Sequence, residues 1–278
     1  MLDFRVRRRL EREYERGIMR LYRQILQKTR GLSLEKVLDY LRSTSLTQAV
    51  TKLANNLAAR MVTLSRASNT QGWRAAASQG SMGREIRQAL KNEMSMGMDL
   101  EVKAIVRNNA RLISSVPRDI AEQITAEMLE RFNKGLRYED YVPDLMKKVP
   151  TLMKSRARLI ARTEISKANE AMTEVRSRNM GINCYIWRSS HDERVRPAHA
   201  AMDGVLVFWD SPPNPEEYFG GSGHFGNYHA GCCPNCRCYC EPVVDLQYLP
   251  DRIRVCAGGS PVSMSRREIQ ERWGSDAA

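Results

Sequence analysis

Apolar residues recur at helical spacing along most of the first 180 positions. Leu10, Tyr14, Ile18, Leu21 and Ile25 fall three and four apart, which predicts one amphipathic helix over residues 5–29, stopped at Gly31. A second helix is expected after Ser33, with Leu34, Val37, Leu38 and Leu41 on its apolar face. Ser45-Leu46-Thr47-Gln48 has the pattern of a capping box, and Leu46, Val50, Leu53, Leu57, Met61 and Leu64 follow as a stripe expected to be core or a helix–helix seam. Residues 66–83 lose that stripe, carry Gly72, Gly80 and Gly83, and are expected as a linker or loop. Helical signals resume over 84–113, with Gly97 marking a bend or interruption. Pro117 is expected at the start of the next helix, which runs to Asn133 and stops at Lys134-Gly135. A short helix bounded by Pro143 and Pro150 is expected next, then a long one from Leu152 to Asn179, closed by Gly181.

The pattern then changes period. Asn183–Arg188 and Val205–Trp209 are β-branched and aromatic runs, expected as short strands, with Asp203-Gly204 turning into the second. Residues 210–231 are rich in Pro, Gly, Asn and Ser and hold almost no aliphatic side chain, so they need an external staple. The remainder reads as a tail with a short basic helix from Ser265 to near Trp273 and a frayed end. The expected class is α+β: a mainly helical body over about 1–180, followed by a small, loop-rich β module stapled by a Cys/His metal site. The expected divisions are basic N-terminal helices (1–65), linker (66–83), helical domain (84–181), β module (182–245) and C-terminal tail (246–278).

Charge alters this picture more than bulk composition does. The 278 residues carry a formal net charge of +12, and residues 1–30 hold ten Lys or Arg against four Asp or Glu. Arg7, Arg8, Arg12 and Arg16 lead that basic helix and are candidates for contact with DNA or a protein partner. The basic stretches lack interleaved aromatics, which argues against a platform for stacking single strands and for sequence-independent contacts to phosphates. The competing reading of the same face is a solvated surface. No apolar run approaches the roughly 18 residues of a membrane span.

Five of the seven cysteines, Cys232, Cys233, Cys236, Cys238 and Cys240, fall within nine residues, with His229 just ahead of them. Cys233 and Cys236 have the spacing that lets two thiolates hold one metal across a tight turn, and Pro234 favours that turn. Cys236 and Cys238 are closer than most zinc pairs, so a tetrahedral site needs a ligand from outside, for which His199 is the natural candidate. The chain opens Leu2-Asp3-Phe4-Arg5-Val6-Arg7 rather than with an apolar export signal, and its cysteine count is odd. Both features favour metal binding in a reducing compartment over disulfide pairing. A mixed thiolate and imidazole set suits Zn²⁺ in a structural role. Cys184 and Cys256 lie apart and are expected as buried thiols, and His191 and His224 sit in polar loops and are not expected as ligands.

The order of pieces over residues 105–242 resembles the Mu F-like head-morphogenesis family of tailed bacteriophages, the minor head (minor capsid) proteins. The resemblance rests on Asn109-Ala110-Arg111-Leu112-Ile113, Gly135, Arg158–Glu164, Trp187, Asp192–His199, Asp203-Gly204 and Pro234-Asn235-Cys236-Arg237-Cys238. Family members often end His-Pro-Asn-Cys-Arg-Cys, and Cys233 stands here where that His stands. Many carry Cys-x-x-Cys where this chain has Arg196-Pro197-Ala198-His199, so only the second position keeps a ligand type. The resulting metal set is His199, Cys233, Cys236 and Cys238, with His229, Cys232 and Cys240 as substitutes.

The resemblance implies a virion protein of the phage head or portal vertex, made in the host cytoplasm. It would associate with the portal protein and with major capsid or scaffold protein, contact double-stranded DNA without sequence preference, and act in head morphogenesis and in packaging or ejection of DNA. It implies no enzyme. The alternatives are a zinc-stabilised, non-specific DNA-binding protein and a metal-dependent hydrolase built on Asp192, His199, Asp203 and the thiols. Three thiolates quench the Lewis acidity that hydrolysis needs. The nucleobase deaminase pattern fails, because there is no Pro-Cys-x-x-Cys and Ala201 stands where its Glu would be.

Overall fold

The computed structural model describes residues 4–79, 82–221, 223 and 225–273, so the expected frayed end beyond 273 lies outside the described residues. The chain forms two compact units, one of Arg9–Val62 with Ala104–Arg162 and the other of Met1–Arg8, Thr63–Lys103 and Thr163–Ala278. The class is α+β, with long helices followed by a small sheet. No helix among the described residues is long and apolar enough to cross a membrane.

The first unit is helical throughout. The basic segment forms α1 (Arg8–Lys28), which buries Tyr14, Ile18, Leu21 and Ile25 of the predicted stripe and Tyr22 besides, while Leu10 is only half-buried. Helix α2 (Leu34–Arg42) starts after Ser33 as expected and buries Leu34, Val37, Leu38 and Leu41. Helix α3 (Thr44–Gln79) begins earlier than the capping-box pattern suggests. Ser43 outside the helix accepts from the Leu46 amide at 3.3 Å, and Ser45 is already helical.

Two proline readings need correction. Pro117 lies inside α5 (Asp99–Asn133), and Pro143 and Pro150 lie inside α6 (Tyr138–Asn179). A proline in a helix interior removes an amide that would serve the carbonyl four residues back. At Pro117 that carbonyl belongs to Ile113, and the Tyr22 hydroxyl donates to it at 3.0 Å, so the acceptor is served from α1. In α6, Tyr141, Leu145, Val149, Met153 and Ala157 are buried at four-residue spacing, and this continuous apolar face carries the helix past both prolines.

The second unit corrects the linker. Residues 66–79 continue α3, and their buried face is Asn69, Trp73, Ala76 and Ala77 rather than an aliphatic stripe. Trp73 packs edge-on against Phe4, with ring centroids 5.2 Å apart. Helix α4 (Gly83–Asn92) leads into a π-helical turn over Met94–Met98, where Gly97 takes φ +93° before α5 begins. This is the interruption expected there.

The sheet has five strands in the order β3-β1-β2-β4-β5. They are β1 (Cys184–Arg188), β2 (Leu206–Phe208), β3 (Tyr239–Pro242), β4 (Arg252–Cys256) and β5 (Val262–Ser265). Strand β1 is antiparallel to both β2 and β3, β2 runs parallel to β4, and β4 is antiparallel to β5. The last two strands fall in what reads as a tail, so the sheet extends past residue 245. They are followed by α9 (Arg266–Trp273), close to the expected basic helix. Alternation along β1 and β2 separates two apolar faces. Cys184, Ile186, Leu206 and Phe208 pack with Ile253, Val255 and Ile269, whereas Tyr185, Trp187, Val205, Val207 and Trp209 pack with the clustered cysteines.

Candidate metal centre

His199 sits on α7 (Pro197–Ala201), one short helix between β1 and β2, entered through a proline at its first position. The imidazole is buried, edge-on to Trp187 at 5.6 Å between centroids. The cysteines come from the loop before β3. There the Cys236 amide donates to the Cys233 carbonyl at 3.1 Å, and Asn235 adopts φ +60° behind Pro234. Proline second and a left-handed residue third is the pattern that a type II turn requires. This turn brings both cysteines to the imidazole, and the Cys238 amide points back at Cys236 Sγ at 3.4 Å.

The ligand atoms of His199, Cys233 and Cys236 all lie within 4.8 Å of one another. Cys236 Sγ and Cys238 Sγ stand 3.3 and 3.4 Å from His199 Nδ1. Cys233 Sγ is 3.8 Å from Nε2. His199, Cys233 and Cys236 form a group that could hold a metal ion, and Cys238 Sγ lies beside the same imidazole, a thiolate and imidazole donor set that suits a structural zinc site.

The surroundings brace this cluster. Arg196 Nη1 reaches Cys233 Sγ at 3.1 Å and its Nη2 donates to the Pro234 carbonyl at 2.9 Å. Asp192 accepts from the Arg194 amide at 3.0 Å, which caps the turn, and from Arg237 Nη1 at 3.2 Å. On the far side of the ring, His199 Nε2 lies 2.9 Å from the Tyr228 hydroxyl and 3.4 Å from Glu216 Oε1. Glu216 comes from α8 (Pro215–Phe219) and is itself buried.

One face of α6 supports the cysteine loop. Thr163 Oγ1 accepts from the Asn235 amide at 3.1 Å, and Glu170 Oε2 accepts from the Cys240 amide at 2.9 Å. Gly231, at φ +80°, packs so closely that a Cβ there would stand 2.8 Å from the Cys238 carbonyl and 2.9 Å from Glu170 and Ser166. The support continues inward through polar groups. Asn169 donates to Glu170 Oε1 at 2.9 Å, Asn69 donates to Asn169 Oδ1 at 2.9 Å, and Arg176 Nη1 donates to Asn69 Oδ1. Arg176 is buried and pairs with Glu93 at 2.7 Å, which also receives Arg66 at 2.6 Å.

Electrostatics follow from this burial. For His199, burial disfavours the cation, but hydrogen bonds and charge from Cys233 and Cys236 outweigh it and lift the pKa to about 10. The Cys233 thiol is pushed up by its hydrogen bond with Cys236 and by burial. Burial raises Glu170 to about 8 despite the donors from Asn169 and Cys240.

The other residues singled out in the sequence lie elsewhere. His229 Nδ1 meets the Tyr185 hydroxyl at 3.0 Å, and Cys240 Sγ faces the Ala230 carbonyl at 3.8 Å. Cys232 is partly buried beside the cluster, Cys184 and Cys256 are buried, and His191 lies 3.6 Å from Asp203. His224 lies outside the described residues. Arg7 donates to Gln71 at 2.5 Å and Arg8 pairs with Asp192 at 3.6 Å. Arg12 and Arg16 are exposed on α1, with Arg16 Nε donating to the Arg12 carbonyl at 3.2 Å. Arg162 pairs with Glu11 at 3.0 Å, and Glu164 is buried beside Lys167 at 3.6 Å. Sequence reasoning misses Thr163, Ser166, Glu170, Glu216 and Tyr228. For the first three, the available signal is a polar step at 163, 166 and 170 on an otherwise amphipathic helix.

Residues 122–241 match the model of a family described as Phage Mu protein F like protein. An uncharacterised protein of Haemophilus influenzae is 28% identical over 178 residues, which covers 63% of this chain and 36% of that relative. The chain therefore spans little more than a third of the relative's length. No solved structure matches it.

Proposed function

From the match of residues 122–241 to the phage Mu protein F-like family, we propose that this chain is a member of that family and a minor head protein of a tailed phage, associated with the portal vertex and acting in head assembly and DNA packaging or ejection. The observation that carries this reading is that the matched segment contains the whole cysteine–histidine cluster and the α6 face that supports it. The cluster holds a structural Zn²⁺ through His199, Cys233, Cys236 and Cys238, and no chemistry is asked of it. The ion fastens a loop of some twenty residues with few aliphatic side chains, a length that cannot hold itself by burial. The chain works as a scaffold component rather than an enzyme.

The net charge of +12 suits a protein that works beside densely packed DNA. Exposed Arg12 and Arg16 contact duplex phosphates without reading bases, and such contacts weaken steeply with salt. Portal protein and major capsid or scaffold protein are the proposed protein partners. A nonsense mutation in the phage gene tests the assignment. Purified wild-type heads are expected to contain the chain, and mutant lysates to lose infectious, DNA-filled heads. Normal titre, with the wild-type chain left wholly in the unassembled fraction, would overturn it.

A further inference from the structure

The two ring nitrogens of His199 face different chemistry. Tyr228 donates its hydroxyl proton to Glu216 Oε2 at 2.6 Å. With that proton committed, the Tyr228 oxygen can only accept from His199 Nε2, 2.9 Å away. The other oxygen of Glu216, Oε1, is buried, has no hydrogen-bond partner of its own, and lies 3.4 Å from the same nitrogen. Both oxygens therefore call for a proton on Nε2. Nδ1, by contrast, has the sulfurs of Cys236 and Cys238 at 3.3 and 3.4 Å. His199, Glu216 and Tyr228 are all buried, so these preferences are not diluted by water.

We propose that Glu216 and Tyr228 form a clamp that fixes the His199 tautomer, so that His199 binds the metal through Nδ1 and never through Nε2. The proposal rests on the metal reading above and adds two positioning residues from a segment with no ligand of its own. The loop from α8 to the cysteines is thereby tied to the ion twice, through its thiols and through Glu216 and Tyr228 acting on the imidazole. A histidine ligand whose second nitrogen is held by a carboxylate is a stronger and better-oriented donor, and loss of such a partner typically weakens metal binding 10- to 100-fold. The Cys233 sulfur stands 3.8 Å from Nε2, farther than either oxygen, so the clamp also excludes ligation through that nitrogen.

The test uses the full chain with Zn²⁺ alone as the probe. Long-range ¹⁵N correlation of imidazole nitrogens in the wild-type protein is expected to show His199 Nδ1 bound to metal and Nε2 protonated. Chelator competition is expected to show Glu216→Gln and Tyr228→Phe each binding zinc 10- to 100-fold more weakly, while both still take up one ion per chain at saturation. Tyr228→Phe removes only a hydroxyl, so it reports even if the Glu216 variant folds poorly. A metal-bound Nε2, or variants that hold zinc as tightly as wild type, would overturn the clamp and leave the metal site standing. A wild-type chain that takes up no zinc would overturn both.

Discussion

The Tyr22 hydroxyl donates to the Ile113 carbonyl at 3.0 Å, the acceptor that Pro117 leaves without a helical amide. Tyr22 is fully buried, so its removal strands a carbonyl away from water. Tyr22→Phe is expected to destabilise the chain by about 1–3 kcal/mol. Pro117→Ala restores a backbone amide to Ile113, so in that background the same change should cost markedly less. Denaturant unfolding of the four proteins in this cycle measures the coupling, and strictly additive effects would disconnect Tyr22 from the proline.

This pair also shows where sequence reading stops. The stripe from Tyr14 to Ile25 predicts α1 because burial and spacing agree there. Pro117 reads as a helix start because the compensating hydroxyl comes from a residue 91 positions away from the carbonyl it serves. Residues 66–79 read as a linker because their buried face is polar and aromatic, with Asn69 held by Arg176 and Asn169 instead of by apolar contact. Strand β4 alternates Arg252, Ile253, Arg254 and Val255, but its partners are known only once the sheet is assembled. At the candidate site, cysteine and histidine are rare and chemically pointed, so their spacing draws the eye. Glu216 and Tyr228 carry no such signal, and the polar step at Thr163, Ser166 and Glu170 gains its partners only once the fold supplies them.

Gly231 carries a second prediction. An alanine there would have to keep φ +80° and place its Cβ 2.8 Å from the Cys238 carbonyl and 2.9 Å from Glu170. Backbone strain of about 1–2 kcal/mol adds to overpacking of about 1–3 kcal/mol. Gly231→Ala should therefore lower stability by several kcal/mol and loosen zinc binding, whereas Gly135→Ala, also at positive φ but with open space around it, should show the backbone cost alone. Equal melting temperatures for the two variants would remove the packing argument.

Glu170 makes stability depend on pH. Burial raises its folded-state pKa to about 8, above the ordinary carboxylate range, so the native state holds a proton that the unfolded chain gives up. That contribution is complete below the unfolded pKa and is lost as pH rises through about 8, with a limiting slope of about 1.4 kcal/mol per pH unit. Glu170→Gln removes the titration. At saturating zinc, the difference in stability between wild type and Glu170→Gln should shift in favour of the variant between pH 5 and pH 8, in proportion to that slope. A difference that stays constant across this range would show that Glu170 is already ionised in the folded chain.

The basic face of α1 separates into two behaviours. Arg7, Arg8, Arg12 and Arg16 are all exposed, but Arg7 and Arg8 are engaged by Gln71 and Asp192. Charge reversal at Arg12 and Arg16 should weaken duplex binding equally for unrelated sequences. It should also make the salt dependence shallower by about one unit of slope for each phosphate left without its cation. Reversal at Arg7 and Arg8 should in addition break their contacts with Gln71 and Asp192, seen as a slightly lower melting temperature. Binding that is unchanged by Arg12→Glu and Arg16→Glu would assign that face to a protein partner.

The metal itself gives the last prediction. The proposed zinc site would need four ligands, and three of its candidates, His199, Cys233 and Cys236, lie within 4.8 Å of one another. Cys238, 3.4 Å from His199 Nδ1, is the proposed fourth, while Cys240 faces the Ala230 carbonyl and has its amide held by Glu170. Cys236→Ser and Cys238→Ser should each reduce bound zinc well below one ion per chain and expose the loop before β3 to protease. Cys232→Ser and Cys184→Ser should keep the full complement, because neither sulfur is among the four proposed ligands. Chelation of the wild-type protein should reproduce the protease pattern of the Cys238 variant, since in both cases the loop is left to hold itself with few apolar side chains. If chelation leaves that loop as resistant as before, its packing against Ser166 and Glu170 is sufficient without an ion.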